Sequence, residues 1–128
     1  MTSQKEIETI IRSWVEAVQN RDILGILANH SDNIVMYDVP APFKSVGIEE
    51  YKKTWEQSFF NGTESGVYEI IELAIESSDE VAFCFGILKC SWNNKGKFED
   101  LKFRLTIGLR KINGVWAILH EHHSVPSE

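Results

Sequence analysis

Leu101-Lys102-Phe103-Arg104-Leu105-Thr106-Ile107-Gly108-Leu109-Arg110 alternates apolar side chains with polar or small ones over its whole length. Successive side chains of a strand point to opposite faces. Leu101, Phe103, Leu105, Ile107 and Leu109 therefore share one face; Lys102, Arg104, Thr106, Gly108 and Arg110 share the other. The run extends from Phe98 to Lys111. Ile112-Asn113-Gly114 then signals a tight turn, and Val115 to His123 returns as a last strand. Upstream lie a hairpin turn at Asn93-Asn94-Lys95-Gly96, a strongly apolar strand from Val81 to Trp92, a turn at Ser77-Ser78-Asp79-Glu80 and a strand from Val67 to Glu76. The second half is a long antiparallel meander.

The first half has a different period. Ile7, Ile10, Ile11, Trp14, Val15 and Val18 recur at helical spacing between Ser3 and Asn20, and Ser3 with Glu6 fits a capping box. Asp22 is placed to cap a short helix, Ile23 to Ala28, closed by Asn29-His30. Asn33 to Asp38 reads as a strand that Val39-Pro40 stops. After the irregular Pro40–Pro42 loop, Gly47 precedes a third helix, Ile48 to Phe60, with Ile48, Tyr51, Trp55 and Phe59 as its stripe. Asn61-Gly62 ends it. Helices first and a meander second predict an α+β fold, three N-terminal helices packed on a curved antiparallel sheet.

In the last strand the alternation puts Trp116, Ile118, His120 and His122 on one face and Ala117, Leu119, Glu121 and His123 on the other. The centres of both faces are apolar. One packs under the helices; the other must also leave water, which predicts a homodimer through the sheet face.

A chain of 128 residues suffices for one domain, expected to span 1–128. Its 43% hydrophobic content is that of an ordinary globular protein, and its net charge of −6 argues against nucleic-acid or anionic-membrane partners. Cys84 and Cys90 fall six apart on one expected strand, too far to bridge. With no apolar leader core in Met1-Thr2-Ser3-Gln4-Lys5-Glu6, a reduced, cytoplasmic protein is expected.

The order of elements resembles the cone-shaped fold of the nuclear transport factor 2 superfamily. Trp116-Ala117-Ile118-Leu119-His120-Glu121-His122-His123-Ser124-Val125-Pro126, with Arg104-x-Thr106 and the Asn113-Gly114 turn, is similar to its SnoaL-like and DUF4440-type branch. The association domain of calcium/calmodulin-dependent kinase II has a similar Trp-x-x-x-His-x-His-x-Ser ending. The superfamily hosts isomerases, cyclases, dehydratases and non-catalytic dimerisers, so the resemblance implies a fold and a cavity. Ketosteroid isomerase lines up from the first helix through the third, and its general-base aspartate falls on Asp38. The isomerase's oxyanion partners do not carry over. Its first-helix tyrosine falls on Trp14, a supporting tyrosine on Trp55 and its protonated aspartate on Thr106.

Asp38 is the candidate general base, a carboxylate at the tip of an apolar strand. Its bland alternative is an exposed strand-end carboxylate. Arg104 and Thr106 are candidate ligand contacts, with Arg104 as a carboxylate or phosphate anchor. The resemblance puts His123 in the cavity, where a His123–Glu121 pair either acts as acid and base or holds a substrate; a surface pair is the alternative. His122 is a further candidate contact. Trp14, Trp55 and Phe59 are expected as core and as pocket wall, with Asp38 available to accept an indole N–H. His120 and His122 alternate onto one face without a third ligand, so no metal is expected, and no cofactor. The reading is a small-molecule isomerase or lyase. The alternatives are a non-catalytic module that holds a small organic anion, and an oligomerising domain whose cavity the tryptophans fill.

Overall fold

The apolar stripe of the first helix decides how the layers meet. In the computed structural model, which describes residues 2–59 and 64–127, α1 spans Ser3–Gln19 and buries Ile7, Ile11, Trp14, Val15 and Val18. Each aliphatic side chain so buried stabilises the fold by about 1.5–3 kcal/mol. The helix starts one residue earlier than the capping-box reading places it. Thr2, not Ser3, is the cap, and its Oγ1 accepts from the Lys5 N–H at 3.3 Å. Asp22 caps α2 (Ile23–Leu27) as expected, accepting from the Gly25 N–H at 3.2 Å. The third helix divides in two: α3 (Ile48–Lys53) passes into a π-helical turn at Thr54–Phe59. The expected stop at Asn61-Gly62 lies outside the described residues.

Six strands form one sheet: β1 (His30–Tyr37), β2 (Ser45–Val46), β3 (Glu64–Ser77), β4 (Val81–Asn94), β5 (Lys97–Ile112) and β6 (Val115–Ser124). Their order is β2-β1-β6-β5-β4-β3. β3 to β6 are the expected antiparallel meander. The hairpin tips Lys95-Gly96 and Asn113-Gly114 have positive φ at both residues, which matches the right-handed twist of the flanking strands. The sheet is mixed, because β1 lies parallel to β6. The alternation of a single strand carries no information about which partner it takes, so this pairing had no signature in the sequence.

Two of the sheet's register shifts fall in the middle of its long strands. In β3 the register to β4 shifts between Ile70, opposite Leu88, and Glu72, opposite Ile87, next to Gly86. A Cβ at Gly86 would stand 2.1 Å from the Glu72 carbonyl oxygen, so only glycine allows this approach. In β6 the register to β5 shifts between Ile118, opposite Leu109, and His120, opposite Gly108. Leu119 is the extra residue. This bulge corrects the simple alternation: Trp116 and Ile118 share the inner face with Glu121 and His123, while His120 and His122 turn outward.

The core sits between α1, α3 and the concave face of the sheet, where Phe103, Leu105, Ile107 and Leu109 are buried. The convex face carries Lys102, Arg104, Thr106 and Arg110, all exposed. Phe83 and Phe85 stack there at 6.1 Å and stand half exposed. Cys84 and Cys90 are both buried and free. Among the described residues no helix is long and apolar enough to cross a membrane.

Candidate active site

The parallel pairing of β1 and β6 builds the site. Met36 stands opposite Glu121 and Tyr37 opposite His122. Met36 is buried in the core and Tyr37 points outward, so the next residue, Asp38, turns inward again. One step further along β6, His123 does the same. The two side chains meet across the strand pair, with His123 Nδ1 3.8 Å from Asp38 Oδ1. That separation is too long for a hydrogen bond. Val39-Pro40 ends the ladder here, and Asp38 Oδ1 accepts the Val39 N–H at 2.7 Å. The Asp38 side chain is 30% exposed, whereas that of His123 is 6% exposed.

Behind His123 lies a closed polar network. Its Nε2–H donates to Glu121 Oε1 at 3.0 Å. Glu121 is wholly buried, and its Oε2 accepts from His30 Nε2 at 2.5 Å and from the Tyr51 hydroxyl at 2.7 Å. Tyr51 in turn accepts the Trp14 indole N–H at 3.0 Å. His30 Nδ1 donates to the Ala28 carbonyl at 2.9 Å, so this ring donates from both nitrogens. The carboxylate therefore has a donor on each oxygen. Burial opposes its ionisation, but the hydrogen bonds and charges of His123 and His30 outweigh burial and hold its pKa at about 2. Burial likewise opposes charge on His123. The hydrogen bond and charge of Glu121, with Asp38 beyond, prevail and hold its pKa above the usual 6.5. Tyr51 is pushed well above its ordinary range by burial and by the Glu121 charge, so it stays a donor.

Asp38 and His123 open onto a cavity of about 270 Å³. Trp55 comes from the π-helical turn, Tyr68 from β3, Trp92 from β4 and Phe103 from β5. Val39, Pro40, Thr54, Cys90 and Leu101 fill the gaps. Phe103 stacks on the His123 ring at 5.4 Å, and Trp14 meets it edge-on at 6.1 Å. The Gln19 side chain fixes Tyr68: its Oε1 accepts the Tyr68 N–H at 2.6 Å and its Nε2 donates to the Gly66 carbonyl at 2.5 Å. Burial pushes the Cys90 thiol up to about 11, helped by Asp38 and Asp100, so it is a neutral wall group and not a nucleophile.

Of the residues singled out from sequence, Asp38, His123 and Trp55 line the cavity. Trp14 and Glu121 stand behind the lining. The Trp14 indole goes to Tyr51, not to Asp38. The side chain of Phe59 lies outside the described residues. Arg104, Thr106 and His122 are on the convex face and do not reach the cavity. The reason is the curvature of the sheet: the helices cover the face that carries Leu101 and Phe103, so the charged face must stay in water. Arg104 Nε donates to Ser124 Oγ at 3.1 Å. His120 Nδ1 donates to the Val35 carbonyl at 2.7 Å, and its ring centroid is 6.3 Å from that of His122. Among the described residues no His, Cys, Asp or Glu group has the arrangement of a metal site.

His30 escaped the sequence reading, which placed it at the end of α2; a register shift in β1 beyond it hides its inward direction. Tyr68 and Cys90 were legible as strand residues but not as cavity wall.

The sequence matches the family model described as the SnoaL-like domain over residues 7–128. Among solved structures, an NTF2-like protein of unknown function from Pseudomonas putida is 29% identical, with a TM-score of 0.89 over 98% of this chain and 88% of that one. A ketosteroid isomerase-like protein from Erwinia carotovora is 22% identical, with a TM-score of 0.81 over 98% and 97%. A hexachlorocyclohexane dehydrochlorinase of LinA type 3 from Novosphingobium barchaimii is 13% identical, with a TM-score of 0.87 over 98% and 87%. A sequence search of curated proteins found no match.

Proposed function

The chain belongs to the SnoaL-like domain family, and from its cavity we propose a cofactor-independent isomerase or lyase that acts on a small carbonyl compound. The observation that carries this reading is the placement of His123 between Asp38 and Glu121. Asp38 takes a proton from the carbon next to the carbonyl. His123 spends its Nε2–H on Glu121, which leaves Nδ1–H on the side of Asp38 to hold the oxygen on which negative charge develops. The ionised Glu121 favours the imidazolium, and His30 and Tyr51 keep Glu121 ionised and in place. This imidazolium supplies the oxyanion donor that Trp14, Trp55 and Thr106 do not. Return of the proton at another carbon gives an isomerase; loss of a leaving group gives a lyase. The names of two structural relatives, one isomerase-like and one a dehydrochlorinase, belong to these same two outcomes.

The test is Asp38→Asn, with deuterium exchange next to a ketone carbonyl followed by NMR. General-base catalysis contributes about 10²–10⁴-fold, so a loss of that size is expected with the circular dichroism spectrum unchanged. Full exchange in the variant would place the base elsewhere, and an unfolded variant would make Asp38 structural. The second reading, a module that holds an organic anion, would have to rest on His123 alone, because no Lys or Arg lines the cavity among the described residues.

Phe83 and Phe85, with Val81 and Ile71 also exposed, support self-association through the convex face. Light scattering is expected to give twice the 14.7 kDa chain mass, and Phe85→Lys to return it to a single chain. A wild type that is monomeric at micromolar concentration would refute the dimer.

A further inference from the structure

The cavity restricts its ligand by size, by shape and by charge. A volume of about 270 Å³ lies just below the roughly 300–1,000 Å³ of pockets that hold drug-sized ligands. That favours a compact ligand of about one ring over a skeleton of several fused rings. The wall is aromatic on several sides. Trp55 and Tyr68 meet at 6.3 Å and 76°, and Tyr68 and Phe103 at 5.9 Å and 45°. Such a wall offers flat faces and edges to a compact ring, and little to a flexible chain, which also loses more rotamer freedom on binding.

The charges are equally selective. Asp38 and His123 face each other in the lining, Tyr68 and Cys90 are held neutral by burial, and no Lys or Arg lines the cavity among the described residues. The sequence from Ser58 to Ser65 contains none either. Lys102 and Arg104 face the opposite side of the sheet. An anionic ligand would lie beside the Asp38 carboxylate, while the His123 imidazolium already faces two carboxylates. A cationic ligand would lie beside the imidazolium. A buried charge without its own partner is strongly disfavoured.

We propose that the cavity selects an uncharged, single-ring carbonyl compound, its ring enclosed by Trp55, Tyr68, Trp92 and Phe103 and its carbonyl oxygen on His123 Nδ1–H. The oxygen's position rests on the acid–base reading above; the size and charge selection rest on the wall.

The test is an NMR titration of the full chain with cyclohexanone, 2-hexanone, cyclohexanecarboxylate, cyclohexylammonium and a steroid ketone, following the resonances of His123 and Trp55. Deuterium exchange of each ketone is measured in parallel. Cyclohexanone is expected to bind at least tenfold more tightly than the carboxylate, the ammonium or 2-hexanone. Trp92→Ala, at a half-buried position, is expected to shift the preference toward the two-ring ketone 2-decalone. Equal or tighter binding of either ion overturns the charge selection. Equal binding of 2-hexanone overturns the ring, and a steroid ketone that displaces cyclohexanone overturns the size limit. Cyclohexanone bound most tightly but without exchange upholds the ligand class and removes the acid–base reading. Exchange of cyclohexanone and 2-hexanone at equal rates, with no binding preference, does the reverse.

Discussion

His122 and His123 are joined by one peptide bond and live in different chemistry. His122 is exposed on the convex face, its ring edge-on to Tyr37 at 5.3 Å. His123 is buried on the concave face, stacked on Phe103 and hydrogen-bonded to Glu121. Residue type does not separate them. The side of the sheet does, and the bulge at Leu119 sets the side. Without that extra residue, either Trp116 and Ile118 or Glu121 and His123 would have to face water. The comparison teaches that a histidine in this fold becomes chemically special when the strand turns it toward a second buried group, here a carboxylate that already has other donors.

Removing that carboxylate breaks the difference most severely. Glu121→Gln keeps the shape of the side chain but deprives His30 and His123 of their shared charge partner. Loss of one member of a buried ion pair costs about 3–5 kcal/mol, and urea unfolding at neutral pH is expected to show a loss of that size. A change below about 1 kcal/mol would mean that Glu121 is not the buried charge partner of His123. The variant is also expected to hold His123 less strongly as the imidazolium, so the alkaline limb of its pH–rate profile moves to lower pH.

The pH dependence of the wild type sharpens the same comparison. Glu121 is lowered from 4.5 to about 2. Its contribution is therefore present above pH 4.5 and lost as pH falls toward 2. His123 is raised above 6.5. Its contribution is complete below pH 6.5 and lost as pH rises through the raised value. Stability from this pair is expected to be greatest between about pH 4.5 and 6.5 and to fall on both sides. Thermal melts from pH 3 to 9 check this. The proposed turnover uses the same imidazolium, so it is expected to fall on the same alkaline limb. A rate that rises through that limb would make His123 the base and not the oxygen-holding group.

Most of the fold was legible because its elements announce themselves locally. The helical stripe of Ile7, Ile11, Trp14 and Val18, the cap at Asp22, the two hairpin turns and the alternation in β5 are all properties of neighbouring residues. What was illegible depends on partners distant in sequence. The parallel β1–β6 pairing brings Asp38 to His123, yet neither strand carries a mark of it. The Leu119 bulge reverses an alternation that reads as unbroken. The choice of face in β5 failed differently: alternation separates two faces but does not say which one the helices cover. The apolar face had the stronger claim on burial, and Arg104 and Thr106 went with the solvent accordingly.

That last error supplies the mildest test. Arg104→Ala and His122→Ala remove exposed convex-face side chains whose partners are Ser124 Oγ and the edge of Tyr37. Surface changes of this kind stay within about 0.5 kcal/mol of the wild type, and ketone exchange is expected to change less than about twofold, well under the 1.4 kcal/mol of a tenfold effect. The contrast with His123 is then sharp: replacing one histidine is expected to silence the proposed site, and replacing its neighbour to leave it untouched. A tenfold loss in Arg104→Ala with the fold intact would mean that the convex face reaches the reaction after all. Dimerisation through that face is a route by which it does so, and repeating the assay on Phe85→Lys separates the two, because a loss transmitted through the dimer must appear in both variants.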